Sequence, residues 1–302
     1  MKVVLIITST IDYTIDYFII KYGKNVRMLR LNVDMFDKYQ IDITENNWKI
    51  TTDSWSICRD AIFSIYYRKP RLPDLSNYEG EYQSMIQKDI IATIVGLVDS
   101  FNGIVLSKPS ILRKTENKIY QLQKGKEIGF NVPKTIITNN ADLANGLLSK
   151  EKTIIKPITT GKIQIGDRYE IYQTNILDEL LNDISITPVY LQEYIPKLYE
   201  VRLTIINGYF YGVKIQSSNE IDWRDEQADN KYIIIDVPVE IKNKCNKMLN
   251  KFNLNFGAFD FIVNRDLRWI FLEVNPNGQW LWLEQILNLN ISEKIIEFLT
   301  GG

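Results

Sequence analysis

"GAFDFIVNRDLRWIFLEVNPNGQW", residues 257–280, alternates apolar and polar side chains on either side of Asn264–Leu267 and stops at Pro276. Period-two alternation around a polar turn is the mark of two antiparallel strands, each with one face buried. Glu273 and Asn275 lie two apart, so they share a face at the end of the second strand. With a connecting loop of two or four residues, Asp260 faces Phe271 and Ala258 faces Glu273. Asp260 then lies diagonally from Glu273, roughly 7–8 Å away. An odd-length loop would turn Asp260 to the other face. Two carboxylates on one face with no basic partner repel each other, and a divalent cation between them would relieve that. The plain alternative is a solvated strand face with a chance acid pair, and the hairpin alone leaves both open.

Working outward, "PVYLQEYI" (188–195) and "YEVRLTIINGYFYGVKIQS" (199–217) read as further strands, the Asn207-Gly208 pair marking a tight turn. The spacing predicts a closing helix over 291–299, opened by Asn290 with Glu293 three residues on. Upstream, strand-like runs fall at 2–8, 26–32, 40–43, 48–52 and 62–67. A helix over 81–101 follows, with Met85, Ile86, Ile90, Ile94, Leu97 and Val98 on one side. "GIVLSKP" gives a short strand and a boundary at Pro109, and the next helix runs from about 116 to 128, with Thr115 as cap and Gly129 as stop. "VPKTIITNN" and "TIIKPI" are strand-like around a helix at about 141–149, and "TTGKIQIG" is a polar turn bounded by Gly161 and Gly166. The chain is therefore mixed α/β, or α+β, in two to three parts, the first at 1–110.

Composition narrows the chemistry. The 302 residues include no histidine, which excludes imidazole bases, serine–histidine hydrolysis and histidine metal sites. Any metal must be held by oxygen, which favours a hard cation. A net charge of −1 gives no electrostatic reason to expect nucleic acid or an anionic membrane. The cysteines, Cys58 and Cys245, are far apart, as in a reducing compartment without structural zinc. No apolar run reaches the roughly 20 residues that span a bilayer, so a cytoplasmic protein is expected.

Several segments carry further candidate chemistry. Lys156 in "TIIKPI" is either an edge-strand guard or a phosphate ligand beside the 159–166 turn. In "LQEYIPKLYEVRL" the main chain of Tyr194-Ile195, freed by Pro196 and flanked by Glu193, suits the edge of an adenine ring. Glu200 and Arg202 share a face and could pair with each other or divide between ribose and phosphate. "NEIDWRDEQAD" embeds Trp223-Arg224 in a charged loop, where Arg224 could stabilise a transferring phosphoryl group. Arg68 in "IYYRKPRLP" sits at the carboxyl end of a strand, where α/β sheets bind ligands.

In their order along the chain, "NKIYQLQKGKEIGFNVPKT", "IIKP" with its Gly-bounded turn, "QEYI…EVR", "FDFIV" and "FLEVNPNGQW" resemble the ATP-grasp superfamily over about 115–302. "SIYYRKP", "EIDWR" and "NPNGQWLWLE" resemble more narrowly the graspetide synthetases, the microviridin-type peptide macrocyclases. The resemblance implies an ATP-grasp fold with a pre-grasp domain at 1–110, a central subdomain at 111–187 and a C-terminal one at 188–302. It implies that Lys118 and Lys156 contact the phosphates of ATP, with Gly161 in the loop over them. Gln192, Glu193, Tyr194 and Ile195 would hold adenine, and Glu200 the ribose. Arg202 and Arg224 would be catalytic, facing the γ-phosphate and an acyl phosphate. Asp260, Glu273 and Asn275 would bind Mg²⁺, as two ions, while Arg68, Asp222 and Trp223 would meet the substrate. That substrate would be a precursor peptide with leader and core, in which Asp/Glu side chains are joined to Thr/Ser or Lys. Lys69 departs from the pattern, in that a second arginine is common there. Rival readings are a ligase adding glutamate or another amino acid to a protein tail or small molecule, and an ATP-binding module without chemistry.

Overall fold

The computed structural model describes residues 2–159, 174–224 and 228–302, and the backbone of strands 162–165 and 168–171. A five-stranded antiparallel sheet organises the C-terminal half, in the order Asn230–Ile234, Tyr209–Ser217, Lys197–Ile206, Phe256–Asn264, Trp269–Asn275. Its two faces differ because of the period-two alternation. Val201, Leu203, Ile205, Phe259, Phe261 and Val263 point to a core completed by helix Val239–Phe252 and Phe130. On the other face, Ile206, Phe256 and Ala258 meet helices Leu281–Leu287 and Ile291–Leu299 and the N-terminal unit in a second core. Further along that second face Glu200, Arg202 and Asp260 replace the apolar residues, so that one end of it is polar although buried.

The N-terminal unit is a parallel sheet in the order Arg27–Asn32, Val3–Thr8, Ser64–Tyr67, Ile104–Val105. Val3–Thr8 is buried along its whole length, as a central parallel strand covered on both faces must be. A second four-stranded sheet, in the order Asn175–Leu177, Thr153–Lys156, Val189–Glu193, Thr135–Thr138, carries helix Ala141–Leu148 through Ala144, Leu147 and Leu191. Thr153–Lys156 is an interior strand of this sheet, which removes the edge-guard reading of Lys156.

Three local expectations are corrected. Pro109 begins a helix, Pro109–Thr115, where its fixed φ and missing N–H cost nothing. Thr115 ends that helix, and Asn117 caps the next one, Lys118–Ile128, by accepting from Tyr120 N at 3.0 Å. Asn290 makes no side-chain cap bond to the last helix, although its amide reaches Glu293 at 3.3 Å.

A fourth correction concerns the opening hairpin. Asn264 N donates to Arg268 O at 3.1 Å, so the loop is Arg265–Leu267, an odd number of residues. The Asn264 side chain shapes it by accepting from Asp266 N (3.1 Å) and Arg268 N (2.9 Å), and Leu267 takes a left-handed φ of 61°. Parity is restored by a bulge, in which pairing steps from Phe261↔Phe271 to Asp260↔Glu273 and leaves Leu272 as the extra residue. Asp260 therefore faces Glu273 directly, and Ala258 faces Asn275.

Candidate active site

A cleft of about 390 Å³ separates the second four-stranded sheet from the polar end of the five-stranded one. The first sheet supplies Lys156, Gln192 and Glu193, followed by Tyr194 and Ile195, and the facing sheet supplies Glu200, Asp260 and Glu273. Lys118 enters from the first turn of its helix, and Asp222, Trp223 and Arg224 from the loop after Tyr209–Ser217. Arg202, Asn275 and Arg68 do not line the cleft, and Gly161 lies outside the described residues.

Ionic contacts order the floor. Arg202 Nη1 lies 2.9 Å from Asp260 Oδ1, both side chains being buried. Arg224 Nη2 lies 2.7 Å from Asp260 Oδ2 and 3.5 Å from Glu273 Oε1, bridging the two facing carboxylates. Asp222 holds this arginine by accepting from its backbone N at 3.0 Å. The Trp223 ring sits 5.1 Å from the Arg224 guanidinium carbon and 5.9 Å from that of Arg202, with Trp282 packed 5.3 Å away. Glu200 pairs with Lys197 at 3.0 Å, so Glu200 and Arg202 do not pair with each other. Burial pushes the Glu200 carboxyl up to about 7 against the pull of Lys197.

Burial alone would raise Glu273, but Arg224, Lys118, Lys156 and Arg202 hold it below the usual carboxylate range. Burial pushes Asp260 up, against Arg202 and Arg224. Within the pair, cations thus dominate at Glu273 and desolvation at Asp260. Two facing carboxylates bridged by a guanidinium form a place built for positive charge, and the all-oxygen donors suit a hard divalent ion such as Mg²⁺. Among the described residues no three acidic or cysteine side chains converge, so an ion here would draw on Asp260, Glu273, the Asn275 amide and oxygens of a ligand. The Asn275 Oδ1 accepts from Asn277 N at 3.2 Å, which fixes its rotamer at the strand end.

Both lysines are held at their tips. Lys118 Nζ donates to Pro157 O at 2.9 Å and Lys156 Nζ to Gln192 Oε1 at 2.8 Å, while Gln192 Nε2 donates to Thr135 Oγ1 at 2.9 Å. Burial, opposed by Glu273 and aided by Lys118 and Arg224, pushes the Lys156 ammonium down to about 8. A bound phosphate would raise it again, so the contribution of Lys156 to anion binding is complete below the free-state value and is lost as pH climbs through the bound-state one. Affinity for metal-free ADP, measured by calorimetry, should therefore decline as pH climbs above about 8, by up to about tenfold per unit. Lys156→Arg, which stays charged, should flatten that decline.

The structure separates Arg68 from this cleft. Its side chain is 1% exposed. Its Nε lies 3.2 Å from Asp12 Oδ2, and its Nη2 donates to Thr14 Oγ1 at 3.1 Å and to Gln279 Oε1. Beside it Trp280 is buried against Phe18 and donates to Tyr66 Oη at 3.3 Å. "NGQW" is thus where the C-terminal sheet is fastened to the N-terminal unit, and a substrate contact by Arg68 would require that network to open. Sequence reasoning passed over Gln121, a buried amide bonded to the strand that carries Glu273, because only its helix position was legible.

No family model matches the chain. An uncharacterized protein of Methanocaldococcus jannaschii is 25% identical over 200 residues, 65% of this chain and 49% of its own length. The glutathione synthetase of Thermosynechococcus vestitus is 31% identical over 144 residues, 44% of this chain and 41% of its own length. The chain spans about half the length, or less, of the curated relatives it matches. Solved structures match it throughout. The macrocyclase MdnB of Microcystis aeruginosa is 26% identical with a TM-score of 0.84, each chain covered to 100%. A RiPP-associated ATP-grasp ligase of Chryseobacterium gregarium, solved with ADP and a leader and core peptide, is 24% identical with a TM-score of 0.89, covering 100% of this chain and 97% of its own. The fold is that of the ATP-grasp ligases. Within them the chain takes the form of the graspetide-type macrocyclases, which it matches from end to end.

Proposed function

We propose that this chain is an ADP-forming ligase that closes rings in a ribosomally made precursor peptide. The observation that carries the reading is the cleft, with Lys118 and Lys156 on one side, the facing Asp260–Glu273 pair on the other, and Arg224 touching both acids. A carboxylate is a poor acyl donor until ATP converts it into an acyl phosphate with release of ADP. Attack by a hydroxyl or amine then forms the ester or amide and releases phosphate. This chemistry needs positioning and charge neutralisation and no imidazole. Lys118 and Lys156 would meet phosphate oxygens, and Gln192 orients Lys156 for that task. Gln192, Glu193 and the Tyr194-Ile195 main chain would hold adenine, with Glu200 on the ribose. Arg224 would face the transferring phosphoryl group, with Arg202 adding its charge from behind Asp260, and Asp222 and Trp223 would orient Arg224 toward the peptide carboxylate. Mg²⁺ on Asp260, Glu273 and Asn275 would supply charge neutralisation to the phosphates.

The three-part division at 110 and 187 belongs to the same reading, as does a cytoplasmic site of action, where ATP and new peptide meet. Among the described residues no helix is long and apolar enough to cross a membrane. The glutathione synthetase matches favour a second reading, a ligase that adds an amino acid to a small molecule or a protein tail. Incubation with ATP, Mg²⁺ and precursor peptides encoded beside the gene separates the two by mass spectrometry. Ring closure removes one water per bond, whereas addition makes the product heavier. Peptides left unchanged while ADP accumulates with an amino-acid acceptor would overturn the macrocyclase reading.

A further inference from the structure

The geometry points to Gln121 as a positioning residue that fixes the strand end carrying Glu273 and Asn275. The inference rests on the ligase reading above.

Trp269–Asn275 is the outer strand of the five-stranded sheet, so its far edge has no neighbouring strand. Gln121 takes the place of one at Val274. Its Oε1 accepts from Val274 N at 2.9 Å, and its Nε2 donates to Val274 O at 2.7 Å and to Thr115 O at 2.6 Å. Three of the hydrogen bonds available to a primary amide are thereby made, two of them in the pattern by which a strand pairs. The side chain is 4% exposed, so water does not compete for these bonds. Close approach of the helix is possible because Gly125 stands one turn on, on the same face. A Cβ there would lie 3.1 Å from the Phe271 ring. The Phe271 amide is in turn paired with Asn131 O at 2.8 Å. The edge is thus pinned at Phe271 and at Val274, on either side of Leu272, the bulge residue, and Glu273.

A bulge bends and loosens a strand, and here it lies one residue before Glu273. Val274 is flanked by Glu273 and Asn275, whose side chains leave from the opposite face to its own. Fixing both polar groups of Val274 therefore fixes the direction of the two flanking side chains without touching them. Lys118, one turn before Gln121 on the same helix, reaches Pro157 across the cleft. One helix thus ties the phosphate side of the site to the acidic side.

Gln121→Met keeps the volume and removes all three bonds. The test is calorimetric titration with ADP, with and without Mg²⁺, beside hydrogen exchange of the 269–275 segment. Gln121 also lines the cleft, so metal-free ADP binding is the reference, and beyond any change in it the gain in affinity on adding Mg²⁺ should fall about 10–100-fold, the range for groups that orient metal ligands. Exchange at Val274 should accelerate in the nucleotide-free protein. Phe252→Leu, which loosens the same helix through its stacked partner Tyr120, should leave the Mg²⁺ gain intact. If Gln121→Met does not fold, Gln121→Glu replaces it. As a carboxylate it keeps the acceptor and loses both donors, so its Mg²⁺ gain should fall as in Gln121→Met. A wild-type-like gain in the variant, or an equal loss in Phe252→Leu, overturns the positioning role alone. A wild type whose ADP affinity is indifferent to Mg²⁺ overturns the ligase reading, and the positioning role falls with it.

Discussion

Glu273→Gln is expected to reduce ADP-forming turnover by more than about 100-fold, the upper end of what outer-shell partners of a metal ligand cost. The substitution keeps the size and the contact that Glu273 makes to Arg224 at 3.5 Å. A third of the side chain is exposed, so thermal unfolding should shift little. What it removes is the negative charge that Arg224, Lys118, Lys156 and Arg202 together hold ionised. With Asp260 left as the one member of the facing pair against those four cations, the site would hold Mg²⁺ far more weakly. The same rate of ADP release in the variant and the wild type, at saturating Mg²⁺, would show that the facing acid pair has no part in nucleotide chemistry.

Arg224→Ala is expected to lower turnover by about 10³-fold, the lower bound for an arginine that stabilises charge on a transferring phosphoryl group. It should act in the opposite direction on the metal. The guanidinium occupies oxygens of both Asp260 and Glu273, and the field of Asp260, Glu273 and Asp222 holds it protonated against burial. Removing it frees those oxygens, so Mn²⁺ titrated into the protein without nucleotide should bind more tightly while catalysis collapses. Arg202→Ala would not show this split. Arg202 is buried on Asp260, so its loss removes a buried ion pair and lowers stability, by less than the roughly 3–5 kcal/mol of a fully unpaired charge because Arg224 still pairs with Asp260. Rapid ADP release by Arg224→Ala, or weaker Mn²⁺ binding, would remove the arginine from its assigned place.

Much of the fold could be read from neighbours two to four residues apart. The turn at Asn207-Gly208 has φ values of 46° and 82°, as the pair of residue types predicts. The helix over Gly80–Asp99 and the last helix over Ile291–Leu299 fall within two residues of their expected limits, because apolar spacing marks them plainly. Helices Tyr13–Tyr22, Pro109–Thr115, Val239–Phe252 and Leu281–Leu287 were not read, the second because Pro109 reads equally as a stop and as a first helical residue. Of the site, the residue types were legible and the partners were not. Lys156 with Gln192 and Arg202 with Asp260 are bonded across 36 and 58 residues of chain.

By itself the sequence determined that catalysis here cannot use imidazole, that any metal must bind to oxygen, and that Glu273 and Asn275 leave one strand face together. Each of these follows from composition or from the two-residue repeat of a strand, which no packing can alter. Tertiary structure decided where Asp260 stands, because an odd loop and a bulge at Leu272 change the parity in turn and cancel, and neither has a period to reveal it. It decided as well that Arg68 and Trp280 belong to a buried junction, and that Gln121 reaches Val274 across 153 residues of chain. Those contacts exist only after two sheets and a helix have closed on one another, and no pattern local to the chain encodes the closure.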